Sequence, residues 1–293
     1  MDRNYKLGIF YGLAAYTLWG VLPVYWKQLQ HVEAMEILAS RFLWSAVFVL
    51  FLLIILHKFS VFIEETKAIF SSWRSTAFMI AAAVDISFNW GIFIWAVEQG
   101  RIVETSMGYY INPLMSILFG MIFLNEKLDK MQKVAVVFAT LGIGYIIFQN
   151  GSLPWISISL AVTFASYGLL KKIIAVQPLT SIMLETLLIT PLMLGYLYYL
   201  SLHGGNIYET CDMFTLMYLV GAGAATAVPL LLFTGCARLL PLKMVGFMQY
   251  IAPTISLLLG IFMYGEDFNS TYIFSFGLIW IGLIFFTWSQ VKK

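Results

Sequence analysis

One acidic residue stands in the middle of a long apolar stretch, where a charge is costly. Asp85 lies about nine residues into the stretch over 76–97, roughly 14 Å from its start if the segment is helical. An ionisable side chain at that depth costs about 2.5–3.5 kcal/mol on insertion scales, and it indicates function by default. Asn89 follows one helical turn later on the same face. Asp85 could carry a proton or bind a substrate ammonium group, or it could be a protonated or hydrogen-bonded packing residue.

Three further acids and one arginine lie near the ends of apolar stretches. Glu36 and Arg41 lie near the start of one stretch, and Glu185 lies near the start of another. These three could form gating pairs, one near each face of a membrane, or a structural ion pair that allows Arg41 to be buried. Glu104, one turn into its stretch, could act with them or be solvated at the interface.

Two prolines occupy the middle of apolar stretches. Pro113 and Pro253 each remove a backbone hydrogen bond, bend the helix and free a carbonyl at membrane depth. Corresponding breaks in two halves of a chain point to a binding site, although helix shaping alone is the alternative. We expect a cavity here, lined by the neighbouring polar residues Tyr110, Asn112, Gln249 and Tyr250.

Four aromatic residues lie away from the ends of their apolar stretches, namely Tyr16, Trp19, Trp90 and Tyr167. Each could line the same cavity. The alternative is a position facing lipid or the interface, where most aromatic residues of membrane proteins lie.

No group of residues predicts a catalytic or metal site. His31, His57 and His203 lie near the ends of different stretches, and Cys211 and Cys236 match no metal-binding spacing. The sequence contains no motif for nucleotide binding, zinc proteases or serine hydrolases. We therefore expect no catalytic residues, no metal and no cofactor. The net charge of +2 does not favour nucleic acid as a partner.

The elements that carry these residues are long and apolar. Apolar residues make up 61% of the 293, against roughly 45–50% in soluble proteins. A spanning helix needs about 20 mostly apolar residues. Ten stretches qualify, at 7–27, 35–56, 76–97, 102–124, 132–149, 153–171, 179–201, 214–236, 243–264 and 271–289. The sequence predicts an all-α integral membrane protein, with an amphipathic interfacial helix near 60–70 and close helix contact at the small residues 221–227.

The basic residues predict the orientation of these spans. With the N-terminus inside, fourteen lysines and arginines fall on the cytoplasmic side, and only Lys27 and Arg101 fall on the opposite side. Lys171 and Lys172 belong to the fourteen and are expected to serve this asymmetry alone. Both termini are therefore predicted to be cytoplasmic.

An internal repeat divides the chain. A shift of 140 residues superimposes 110–120 on 250–260 with six of eleven positions identical. The same shift pairs Phe93 with Phe233, Glu126 with Glu266 and Gly142 with Gly282. We expect two five-helix domains, 1–150 and 151–293. Because five is odd, the second must enter the membrane the other way up, an architecture typical of secondary transporters.

Four segments carry a recognisable pattern: 12–20 (GLAAYTLWG), 36–41 (EILASR), 108–113 (GYYINP) and 246–253 (GFMQYIAP). Together they resemble the RarD-type branch of the EamA-like transporters, within the drug/metabolite transporter superfamily, over nearly the whole chain. The resemblance implies ten transmembrane helices in a 5+5 inverted-topology repeat around a central cavity, in a bacterial cytoplasmic membrane. It implies export or import of small metabolites and does not supply the substrate.

The sequence thus predicts a secondary active transporter that moves small organic solutes by alternating access. The expected partners are a small-molecule substrate, the lipid bilayer and protons as a candidate coupling ion, and no required protein partner is evident. If protons couple, Asp85 is the first candidate, and Glu36 or Glu185 the next. The alternatives are a membrane-embedded enzyme and a non-transporting receptor or scaffold.

Overall fold

The structure, a computed structural model, describes residues 3–98, 102–151, 155–174, 176–264 and 270–291. All regular secondary structure within these ranges is helical. The helices are α1 (Arg3–Trp26), a 3-10 turn (Lys27–Leu29), α2 (Ala34–Ile55), α3 (Phe59–Phe70), α4 (Trp73–Glu98), α5 (Ile102–Leu124), α6 (Lys130–Asn150), α7 (Trp155–Ile173), α8 (Pro178–Leu202), α9 (Ile207–Thr210), α10 (Met213–Leu239), α11 (Leu242–Met248), α12 (Ile251–Tyr264) and α13 (Ser270–Val291).

Helices cover each of the apolar stretches found in the sequence. Within the described ranges, 7 helices are long and apolar enough to cross a membrane, and shorter apolar helices span Gly108–Leu124 and Ile273–Ser289. The predicted all-α membrane protein is therefore confirmed. α3 covers the predicted amphipathic segment, with Phe62 and Ile69 buried and the opposite face exposed.

The two proline-containing stretches differ from each other. α5 runs through Pro113 as one helix, whereas the stretch over 243–264 is broken into α11 and α12 at Gln249 and Tyr250. Pro253 has no N–H with which to bond the carbonyl of Gln249, so the helix is weakest one turn before the proline. The predicted single span is thus interrupted at its polar residues.

The helices group into two bundles joined at their centre. α4, α5 and α7 pack against one another, and α1 packs against α10, α11 and α12. The first group is called the α4–α5–α7 bundle and the second the α1–α10–α12 bundle. They meet where α5 crosses α11 and where α7 contacts α10. α2 packs on α8 and α10, α8 also packs on α4, and α6 packs on α13.

The α6–α13 contact is reciprocal. A Cβ atom added at Gly142 would lie 2.7 Å from the Ser275 carbonyl oxygen and 3.4 Å from Leu278 Cβ. One added at Gly282 would lie 2.8 Å from the Ala135 carbonyl oxygen and 3.4 Å from Phe138 Cβ. The 140-residue shift of the internal repeat converts one set of contacts into the other.

Glycine also permits close contact between α2 and α10, as the small residues at 221–227 predict. A Cβ atom at Gly223 would overlap the backbone carbonyl of Trp44. Beside it, the Ser45 hydroxyl donates to the Gly223 carbonyl at 3.1 Å.

Gly223→Ala should therefore destabilise the protein by about 1–3 kcal/mol, the usual cost of forcing extra atoms into a packed interface. The matched control is Gly144→Ala, because a Cβ atom there meets nothing within 4 Å. The control should be neutral or gain up to about 1 kcal/mol from helix propensity. Thermal unfolding in detergent measures both variants, and equal melting temperatures would contradict the packing argument.

Candidate functional site

Five aromatic side chains fill the junction between the two bundles. They are Tyr16 and Trp19 of α1, Phe164 and Tyr167 of α7, and Phe233 of α10, here called the central aromatic cluster. The Trp19 ring lies 5.8 Å from that of Phe164 and 5.6 Å from that of Phe233. The rings of Tyr167 and Phe233 stack with their centres 6.0 Å apart. Tyr16, Tyr167 and Phe233 are buried, so this conformation holds the cluster closed. Three of the predicted cavity residues, Tyr16, Trp19 and Tyr167, thus lie together.

A polar contact crosses between the bundles beside this cluster. The Gln249 amide donates to the Ser116 hydroxyl at 3.1 Å, joining the break between α11 and α12 to α5. Gly246 allows the approach, because a Cβ atom there would lie 2.8 Å from the Pro113 carbonyl oxygen. The two proline segments of the repeat therefore contact each other directly.

Three buried polar atoms near the helix breaks have no hydrogen-bond partner among the described residues: Tyr16 Oη, Asn112 Oδ1 and Tyr250 Oη. Tyr110 and Tyr250 pack with Ile143 and Ile279, against α6 and α13, instead of joining the central aromatic cluster. The polar residues around the prolines thus divide between the bundle junction and the α6–α13 side.

A buried ion pair lies next to the cluster. Lys171 Nζ contacts the Glu185 carboxylate and donates to the Ser181 hydroxyl at 2.8 Å. The Tyr167 hydroxyl donates to the other Glu185 oxygen at 2.9 Å, so one member of the aromatic cluster also belongs to this network. The expectation that Lys171 serves only the charge asymmetry is wrong, since its side chain is 0% exposed. Burial of a lysine requires a carboxylate partner, and Glu185 supplies it.

Lys172 also departs from that expectation. Its amine donates to the carbonyls of Ala237 and Leu240, at the end of α10. The positive charge satisfies carbonyls that have no helical donor and complements the negative end of the helix dipole.

The structure does not pair Arg41 with either predicted carboxylate. Glu36 instead accepts a hydrogen bond of 2.6 Å from the backbone N–H of Ile207, at the start of α9. Arg41 Nε donates to the Thr226 hydroxyl at 3.1 Å. The guanidinium carbon lies 4.0 Å from the ring centre of Trp90 and 5.0 Å from that of Trp26. Trp90 thus contacts Arg41 and lies outside the central aromatic cluster.

The segment around α9 is held over the start of α2. The hydroxyls of Ser40 and Tyr208 lie 2.6 Å apart, and Trp44 Nε1 donates to the Tyr208 hydroxyl at 3.0 Å. Asp212 caps α10 by accepting from the Thr215 N–H at 2.9 Å. Hydrogen bonds from Thr215 hold the pKa of this carboxyl below its usual value. Glu36 is therefore part of a closing contact between distant parts of the chain.

Two glutamates close the other end of the molecule, called the N-terminal face because α1 begins there. Glu126 accepts from the backbone N–H groups of Leu242 at 2.6 Å and Lys243 at 2.8 Å, at the start of α11. Glu65 accepts from the N–H of Gln177 at 3.0 Å, at the start of α8. Carboxylates at helix N-termini make charge-assisted bonds. Each cap joins the first half of the chain to the second.

Asp85 and Asn89 lie between α4 and α7, apart from the central aromatic cluster. Asp85 is half-buried and borders a groove of about 410 Å³, lined also by Phe88, Ile92, Ile158, Ser159, Val162 and Thr163. The Asn89 amide donates to the Leu160 carbonyl and the Thr163 hydroxyl, each at 2.9 Å. Asn89 therefore ties the two helices together. The side chain of Glu104 lies outside the described part of the structure, as does Glu266.

Phe164, Ser181 and Lys171 carry no pattern in the sequence that marks them for the site. Phe233 was marked only by its match to Phe93 in the internal repeat. Lys171 and Glu185 lie 14 positions apart on different helices, α7 and α8, and nothing in their spacing indicates that they meet. In the described residues, no three His, Cys, Asp or Glu side chains are grouped as a metal site would require.

Known proteins resemble this chain along its whole length. A model of the EamA-like transporter family matches residues 6–148. The chain is 42% identical to the uncharacterized transporter YojE of Bacillus subtilis, over 98% of this chain and 95% of that protein. It is 38% identical to the protein RarD of Escherichia coli, over 99% and 96% respectively.

A crystal structure of a protein 14% identical to this chain has the same fold, with a TM-score of 0.70 over 95% of this chain and 96% of that one. The family model and the Bacillus subtilis relative are named as transporters, which indicates a multi-pass bacterial membrane protein with a role in transport. The family match, the full-length relatives and the helical membrane fold agree, and the chain belongs to the EamA-like transporter family, in its RarD-type branch.

Proposed function

We propose that this protein is a secondary active transporter that moves a small organic solute across the bacterial cytoplasmic membrane by alternating access. The observation that carries the proposal is the position of the central aromatic cluster and of the Ser116–Gln249 contact. Both lie where the two bundles meet, and both contain residues from each bundle. A solute bound there could be exposed to one side by parting the bundles at one end.

The bundles fit a ten-helix 5+5 inverted repeat, with domains at 1–150 and 151–293. The repeat relates α4 to α10, α5 to α11 and α12, and α7 to α1, so it exchanges the two bundles. The reciprocal contacts of Gly142 and Gly282 support this two-fold relation, because a two-fold axis requires each contact to occur twice. The family model, which matches 6–148, supports the first domain.

Rocking of the two bundles supplies the conformational change. At the N-terminal face, Glu126 and Lys172 join the bundles through helix ends. At the opposite face, the segment around α9 closes over α2. The fourteen basic residues on the predicted inner side support a cytoplasmic location for the N-terminal face and both termini.

Flux of radiolabelled solutes into proteoliposomes tests the proposal. A panel of amino acids, carboxylates, amines and sugars should include at least one solute with saturable, gradient-dependent uptake, absent from protein-free vesicles. A pH gradient in the same assay tests coupling, for which Asp85 is the first candidate, followed by Glu36 and Glu185. If Asp85 carries the proton, Asp85→Asn should abolish the pH dependence. No flux for any solute from folded, correctly inserted protein would contradict the transport function.

A further inference from the structure

Arg41 is a cation without a carboxylate in the interior of the helix assembly. It projects from α2 among residues of several other helices: Trp26 of α1, Trp90 of α4 and Thr226 of α10. A charged arginine in a membrane span is costly, and such residues are almost always paired or face a cavity. The contacts of Arg41 therefore call for an explanation.

Elsewhere in the chain, a buried cation is neutralised by a carboxylate. Lys171 has Glu185 as its ion-pair partner and Ser181 as a further acceptor. Arg41 has one neutral hydroxyl acceptor. The nearest acid along the chain, Glu36, is already bonded to the Ile207 N–H. No described carboxylate lies within ion-pair distance of Arg41, so its charge is available to a ligand.

The donors of the guanidinium are also available. Nε is used by Thr226. The two Nη atoms have no hydrogen-bond partner among the described residues. The Nη groups carry four of the five N–H donors of an arginine, in a planar fork that matches the two oxygens of a carboxylate.

Aromatic groups form the walls around this fork. The indoles of Trp26 and Trp90 lie against the guanidinium in cation–π contact. Tyr109 of α5, which interacts electrostatically with Arg41, remains 48% exposed. Asn112 and Pro113, one turn further along α5, are buried. α5 belongs to one bundle, and α1 and α10 belong to the other.

We propose that Arg41 binds the carboxylate group of an organic anion and that this anion is the transported solute, with its apolar part against Trp26 and Trp90. The inference rests on the proposed transport function and names the substrate class. A bidentate carboxylate would neutralise the charge that the chain leaves unpaired. Because Arg41 contacts both bundles, a solute bound to it would be affected by the movement of one bundle relative to the other.

Binding of matched probes to purified protein tests the inference. Phenylacetate, phenylacetamide and phenethylamine share one ring and differ in charge. Phenylacetate should raise the melting temperature of the wild-type protein in a saturable manner, and the amide and the amine should not. Arg41→Gln should weaken phenylacetate binding by about tenfold or more, the loss expected for a charge-assisted hydrogen bond. Arg41→Lys should retain the preference for the anion with weaker binding, because it keeps the charge and loses the fork.

Arg74→Gln is the control. Arg74 also lies over an aromatic ring, that of Phe78 at 5.5 Å, but it is exposed at the N-terminal face. This variant should bind phenylacetate as the wild type does. Equal binding of the acid and the amide, or unchanged binding in Arg41→Gln, would overturn the inference. So would native mass spectrometry in which the wild type retains a phospholipid that Arg41→Gln releases, since Arg41 would then hold a lipid headgroup.

Failure of this inference and failure of transport give different results. If the solute panel shows saturable flux of amines or neutral solutes that Arg41→Gln leaves unchanged, the protein is a transporter and the anion assignment is wrong. If carboxylates bind through Arg41 but none of the panel crosses the membrane, the site exists and the transport proposal fails.

Discussion

Replacement of Lys171 by methionine should destabilise the protein by about 3–5 kcal/mol, because Glu185 would remain buried without a counter-charge. Lys171 is 0% exposed and Glu185 is 3% exposed, so solvent cannot take the place of the lost partner. Glu185→Met should cost a similar amount by stranding the ammonium group. Each change should lower the melting temperature in detergent by on the order of 10 °C.

The double variant Lys171→Met/Glu185→Met distinguishes the contribution of the ion pair from that of side-chain packing. It removes both charges and should recover most of the stability lost in either single variant, since hydrophobic replacement of a buried ion pair is often neutral. The Tyr167 hydroxyl loses its acceptor in the double variant, so recovery should remain incomplete by about 1–3 kcal/mol.

Lys172→Met is the matched control for this cycle. Lys172 is adjacent in sequence and only partly buried, and it donates to backbone carbonyls, so its loss leaves no buried charge without a partner. Lys172→Met should lower the free energy of unfolding by much less than Lys171→Met does. If the two single losses simply add in the double variant, the residues do not interact and the pair does not stabilise the fold.

The helices were predictable from the sequence because the bilayer imposes a simple rule. Every backbone polar group in the hydrocarbon must be bonded internally, so a long apolar stretch becomes a helix. The glycine contacts of α10 followed from an equally local property, the small size of glycine. The break at Gln249 did not follow from proline alone, because α5 runs through Pro113 as one helix. The internal repeat was visible because the two proline segments retain the same residues at the same spacing.

Contacts between side chains were less predictable, because apolar helices give no signal of which face is turned inward. The sequence indicates how deep Asp85 lies in its span, but not which neighbouring helix it faces. In the structure Asp85 borders the groove between α4 and α7. Glu36 bonds to Ile207, which is 171 positions away. The sequence predicts that Lys171 serves the charge asymmetry alone, because positive charges collect at the cytoplasmic ends of helices. Its burial depends on a partner that only the tertiary fold supplies.

A disulfide between α5 and α11 at the N-terminal face should abolish transport. A Cβ atom at Gly120 would lie 3.2 Å from Leu242 Cβ, a few tenths of an ångström inside the range of about 3.5–4.5 Å found in disulfides. The two helices belong to different bundles. In a background lacking Cys211 and Cys236, oxidation of Gly120→Cys/Leu242→Cys should lower flux at least about tenfold, and a reductant should restore it, because the bundles can no longer part at that face.

A second disulfide on the same helix is the control. A Cβ atom at Gly108 would lie 3.1 Å from Leu160 Cβ, so Gly108→Cys/Leu160→Cys joins α5 to α7 within one bundle. If the bundles move as rigid bodies, this bond should form and leave transport intact. Loss of flux with both cross-links would place movement inside the α4–α5–α7 bundle. Retention of flux with the Gly120–Leu242 cross-link fully formed would show that the solute passes without parting α5 from α11, and the rocking of the two bundles would have to be abandoned.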